Sequence, residues 1–152
     1  MSRLIIFEQA DGRVGICAPT GEIPIEDVQA RHYPTNSFIV EPSALPMADY
    51  DFSDAWRMSP QGEISVDLEA AKEVTRTRLR TERKPLLAAL DIAFIKAIEF
   101  GTPTAEISAE KQRLRDITLL VDPCTTLQEL RSLRCSKVEI TPEPPAPPSL
   151  PN

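Results

Sequence analysis

The sequence predicts an α+β protein with a β-rich module over residues 1–66, a helical segment over 67–135 and a Pro-rich extended tail over 136–152. Three observations predict it. Short β-prone runs in the first part are punctuated by Asp11-Gly12 and by Ser59-Pro60-Gln61-Gly62. No glycine occurs from Asp67 to Phe100. Six of the eleven residues from Pro142 to Asn152 are proline. Aromatic residues make up only 5% of the 152, so a core must rest on Leu, Ile, Val and Ala, a set that suits helices better than a sandwich.

Leu4-Ile5-Ile6-Phe7 and Val14-Gly15-Ile16-Cys17-Ala18 flank Asp11-Gly12, and a glycine that accepts positive φ between two apolar runs predicts a hairpin. A short helix is expected over 25–31, after Pro24, with Pro34 preventing its continuation. Ser37-Phe38-Ile39-Val40-Glu41 reads as a third strand. The stretch from Glu41 to Asp54, with Pro42, Pro46 and several acids, reads as an extended connector crossing the surface. A second hairpin is expected from Ala55-Trp56-Arg57-Met58 and Glu63-Ile64-Ser65-Val66.

Asp67 has the side chain of an N-cap and Glu69 favours the positive end of a helix dipole, so a long helix begins there. Pro85 removes one hydrogen bond from it, and a kink within one helix is the expected response. Leu87, Leu90, Phe94 and Ile98 recur at helical spacing and form a stripe that must meet another apolar surface. Gly101 ends the helix, and Thr102-Pro103 is expected to open a second one carrying Ile107, Leu114 and Ile117, with Leu120 near its end. The two form an antiparallel hairpin. Beyond Pro123, Thr126-Leu127-Gln128-Glu129 fits a capping box for a last short helix.

Charge is distributed unevenly around the net value of −6. Residues 1–66 hold ten acids against four bases and residues 67–137 hold eleven against thirteen, so only the helical part can attract an anion. Overall acidity argues against non-specific nucleic-acid binding, in which each phosphate contact needs a cation. Three cysteines without CxxC spacing or histidine neighbours suggest neither a zinc site nor a disulfide framework, and free thiols are expected. No stretch reaches bilayer-spanning length and the N-terminus lacks a signal-peptide core, so synthesis in the cytosol is expected.

The sequence calls for no cofactor and announces no reaction centre. His32 stands alone, without an oriented partner for base catalysis, and suits the end of the short helix. Glu26-Asp27 and the Asp49/Asp51 pair read as solvated charges. Binding is the more productive question. Arg76, Arg78, Arg80, Arg83 and Lys84 spread around the helix, either as a solvated surface or as a site for an acidic partner. Trp56 is core or interface anchor. Pro144, Pro145, Pro147 and Pro148 are a free end or a preformed ligand for a groove.

Four stretches carry a family resemblance: Asp54-Ala55-Trp56-Arg57, Val66-Asp67-Leu68-Glu69-Ala70-Ala71-Lys72-Glu73, Arg83-Lys84-Pro85-Leu86-Leu87-Ala88-Ala89-Leu90-Asp91 and Lys111-Gln112-Arg113-Leu114-Arg115-Asp116-Ile117. In this order and spacing the chain resembles small proteins encoded beside tail genes in tailed bacteriophages and prophages, over most of residues 4–133. The cysteine-containing C-terminus and the proline-rich tail depart from that pattern. The resemblance implies a tail-associated role, as a virion component near the baseplate and fibres or as an assembly factor for them, and it brings no catalytic motif. The expectation is therefore a non-enzymatic, homo-oligomeric connector in the virion tail that binds other tail proteins and neither nucleic acid nor membrane. A tail-fibre assembly chaperone is the alternative.

Overall fold

The computed structural model describes residues 2–136. Its architecture is α+β: two small antiparallel sheets and a short helix, followed by one long helix with shorter helices folded back on it. Pro144, Pro145, Pro147 and Pro148 lie outside the described residues.

Strands β1 (Leu4–Glu8), β2 (Val14–Cys17) and β3 (Ser37–Val40) form a sheet in the order β2-β1-β3. β1 is central, and its register places Ile5 opposite Cys17 on one side and Ile39 on the other. Successive strand residues point to opposite faces, yet Ile5 and Ile6 are both fully buried, so both faces of the sheet are covered at its centre. Helix α1 (Ile25–His32) packs on β1 and β3, while the second hairpin packs on β1 and β2. Phe7 faces Gly15 across the ladder, and its ring occupies the space a side chain at Gly15 would need, stacking on Tyr33 at 4.4 Å.

The segment between the sheets departs from expectation. Instead of an extended connector, the chain coils into 3-10 turns over Pro42–Ala44 and Met47–Ala55. The physical reason is apolar: Phe52 and Ala55 are buried in the main core, which an extended surface crossing would leave in water. Its acids are not merely solvated either. Asp49 and Asp51 both receive Arg131 from the far end of the chain, at 2.7 Å each. Strands β4 (Trp56–Met58) and β5 (Ile64–Val66) then pair through the expected Ser59–Gly62 turn.

Helix α2 runs unbroken from Leu68 to Glu99, with Asp67 as N-cap accepting the Ala70 N–H at 2.7 Å. Pro85 lies inside without ending it. Gly101, at φ 66°, closes it by a double return: Gly101 N–H donates to the Ile98 carbonyl and Thr102 N–H to the Ala97 carbonyl. Thr102 is thereby committed to the end of α2, and Thr104, not Thr102, is the N-cap of α3 (Ala105–Asp116). A 3-10 segment, Ile117–Val121, leads to α4 (Leu127–Ser132), which begins with the expected capping box of Thr126 and Glu129.

The main core forms where these helices meet: Ala71 and Leu79 of α2, Leu114 of α3, then Ile117, Val121, Cys124, Leu130 and Cys135, with Phe52 and Ala55 from upstream. Among the described residues no helix is long and apolar enough to cross a membrane.

Gly62 joins the two sheets. Its φ of 85° favours glycine, and an added methyl would lie 2.5 Å from the ring of Phe38 on β3. Gly62→Ala is therefore expected to destabilise the fold by about 1–3 kcal/mol, from left-handed strain plus overpacking. Chemical denaturation checks this; an unchanged midpoint would contradict the packing.

Candidate protein-interaction surface

The chemistry-bearing residues singled out by sequence mostly serve the fold. Trp56 is buried, its Nε1 donating to the Asp49 carbonyl at 3.3 Å and its ring meeting Tyr50 edge-on. It packs the core and offers no surface to a partner.

Within the basic run Arg76, Arg78 and Arg83 are bound inside the chain, while Arg80 and Lys84 are exposed. Arg76 binds Asp122 at 2.5 Å and Glu73 at 3.2 Å. Arg78 reaches the Leu130 and Leu133 carbonyls at the end of α4, at 3.1 and 2.5 Å. Its Nε is buried without a hydrogen bond, 3.4 Å from Glu82 in an ion pair. Burial pulls its proton affinity down, but a guanidinium keeps its charge even so. Arg83 donates to the Arg115 carbonyl at 2.8 Å, closing the end of α3. Arg78 and Arg83 thus span from α2 to carbonyls left over at the ends of later helices, and Arg76 spans to the Asp122 carboxylate. Arg80, paired with Glu73, faces outward with half its side chain exposed.

The apolar stripe divides. Leu87 and Leu90 pack against the core, and Phe94 is half-buried with Lys111 Nζ 5.2 Å from its ring centre. The partner the stripe required is thus α3 of the same chain, as an antiparallel hairpin demands. Ile98 is exposed. Ile92 and Ile95, which the stripe above does not include, are exposed as well, each at 57%. Their signal was present: Ala88, Ile92 and Ile95 follow steps of four and three, a second stripe overlooked because the first was wider. Phe100 at the helix end is 78% exposed.

A second exposed apolar spot, Leu119 and Leu120, lies on the 3-10 segment after α3. Asp122 beside it is tied to Arg76, near the start of α2. At 1.5 Å per residue, the helix from the level of Arg76 to Ile95 spans about 28 Å. One rigid helix therefore holds two exposed apolar spots apart.

Between α2 and α3 runs a groove of about 560 Å³ lined by Leu86, Ala89, Leu90, Leu114, Glu110 and Cys135. Its floor is fixed at Cys135, whose Sγ donates to the Leu79 carbonyl at 3.3 Å and whose N–H donates to Glu82 at 3.2 Å. Its carbonyl accepts from Arg113 at 2.8 Å. Burial raises the Cys135 thiol above its ordinary value, as it does Cys124, so both stay protonated and unreactive at neutral pH. No group of three or more His, Cys, Asp or Glu placed to hold a metal ion occurs among the described residues.

Arg131 stabilises the far side of this framework. Besides its two aspartates it lies 5.1 Å from the centre of the Phe52 ring. Its hydrogen bonds hold the Asp51 carboxyl below the ordinary value of 3.8. A lowered carboxylate adds stability above its unfolded value, and that stability is lost as pH falls through the lower folded value. Asp51→Asn is accordingly expected to lower the melting temperature at pH 7, with the difference from the parent shrinking as pH falls below 3.8. Thermal melts across that range check it; a gap independent of pH would contradict the pairing.

No family model, curated protein or solved structure matches the chain.

Proposed function

We propose that this chain is a non-enzymatic structural connector of a bacteriophage tail, linking baseplate or tail-tip proteins to tail fibres through protein–protein contacts. One observation carries the reading: the exposed apolar spot at Ile92/Ile95/Ile98 lies toward the end of the 32-residue helix, while that at Leu119/Leu120 lies on the 3-10 segment packed beside the same helix, next to Asp122, which is tied to Arg76 near its start. A large apolar side chain left in water forfeits about 1.5–3 kcal/mol that burial against a partner would recover. Two such spots on one stiff rod suit a part that joins neighbours at a fixed spacing. The resemblance to tail-associated proteins supplies the setting, with synthesis in the bacterial cytoplasm and residence in the virion tail.

The arginines fit this reading by rigidifying the rod. Arg76, Arg78 and Arg83 use their donors on the later chain, so contacts to partners fall to apolar and rim residues. A specific observation also favours a second reading, a tail-fibre assembly chaperone absent from the mature virion. The apolar groove beside Leu86, Ala89 and Leu90 is open, and an adaptable groove is what transient holding of a fibre segment requires.

Mass spectrometry of purified particles separates the two. The connector requires copies of this chain in virions, and none would eliminate it. A Leu119→Asp/Leu120→Asp variant is expected to fold as the parent does, both positions being exposed, and to be lost from particles. Parent-like incorporation of that variant would remove the Leu119/Leu120 spot from the reading.

A further inference from the structure

The outward stripe of α2 continues beyond its isoleucines. Thr81, Pro85, Ala88, Ile92, Ile95 and Glu99 follow alternating steps of four and three, and all six are exposed. This is the spacing of a seam along which parallel helices meet, with Pro85, Ile92 and Glu99 at one core position of the heptad and Thr81, Ala88 and Ile95 at the other. α3 packs on the core-facing stripe of the same helix, and within this chain it leaves the six seam residues exposed.

The charges beside the seam identify what lies there. Asp91 and Lys96 flank the Ile92–Ile95 layer on opposite edges, five residues apart. In a parallel pair of identical helices in register, the residue on one edge meets the residue five positions later on the opposite edge of its neighbour. Asp91 of each copy therefore faces Lys96 of the other. Asp91 already takes Lys111 at 2.5 Å yet keeps 59% of its side chain exposed, leaving room for a second cation. Lys96 is exposed and carries no ion pair among the described residues. An antiparallel pairing of Ile92 with Ala88 would instead set Asp91 against Asp91, a repulsion.

We infer that α2 self-associates, its Ala88–Ile92–Ile95 seam packing in parallel on the same seam of a second copy of this chain, with Asp91 and Lys96 fixing direction and register. This rests on the connector reading only in naming the occupant of one of its two surfaces. The Leu119/Leu120 spot, on the side of the later chain, is left for a different protein.

Sedimentation equilibrium of the full chain tests it. The parent is expected at a multiple of the monomer mass, and Ile92→Glu/Ile95→Glu at the monomer mass with an unchanged circular-dichroism melt, because both side chains are exposed in the single chain. Lys96→Glu, which places like charges across each edge, is expected to weaken association several-fold. Ala88→Cys in a chain with Cys17→Ser is expected to cross-link to its own counterpart on mild oxidation. A monomeric parent, or an oligomer indifferent to the isoleucine changes, overturns the inference. An oligomer that fails to cross-link through position 88 overturns the parallel register. Absence of the chain from virions alongside a seam-dependent oligomer would sink the connector reading and leave the self-association standing.

Discussion

A helix of 32 residues cannot bury its own apolar face, and the whole molecule is arranged around that constraint. Ala71, Thr75 and Leu79 point inward with no accessible surface, and what covers them comes from both directions along the chain. From upstream comes the coiled segment with Phe52 and Ala55; from downstream come α3, the 3-10 segment and α4. Even the one polar member of that face is quiet, since Thr75 returns its hydroxyl to the Ala71 carbonyl at 2.9 Å. Removing the cover from either side would leave α2 with a wet inner stripe and little reason to stay helical.

Arginine holds the cover in place. A short helix such as α4 ends with unpaired carbonyls, and Arg78 reaches across from α2 to take two of them while Arg83 does the same for α3. Arg131 works in the reverse direction, carrying a cation from α4 to the acids near Phe52. A planar guanidinium with five donors suits all of these positions, because several acceptors at once are presented to it. Residues that composition alone presents as a basic surface thus act as internal cross-ties.

Much of the fold was legible in the sequence. The hairpins were marked by turn residues at Gly12 and Gly62, α2 by Asp67 and a long run without glycine, and α4 by Thr126 and Glu129. These signals are local, so no knowledge of distant partners was needed. The segment from Glu41 to Asp54 was misread because its local signal, two prolines and several acids, points to a loop. Its true behaviour is set by burial of Phe52 and Ala55 against the later helices, with Arg131, about eighty residues away in sequence, tying down its acids. The same limit applied to Arg78 and Arg83, whose acceptors are backbone atoms that no side-chain pattern reveals, and to Arg76, whose acceptor Asp122 lies 46 residues further along the chain. At the candidate surface, Ile98 was found with its residue type but assigned to the inward stripe, and Ile92 and Ile95 were hidden by a broader neighbour. Amphipathic pattern shows which residues are apolar, and tertiary packing decides which of two apolar stripes is covered.

The threefold anchoring of Cys135 has a mechanical corollary. Its thiol, amide and carbonyl are each bonded to a different side or level of the helical hairpin, two of them to α2 and one to α3. Tension applied to whatever follows that residue would be carried straight into the stiff rod and shared between its two arms, so a load hung there would pull on the body of the molecule instead of peeling α4 away from it.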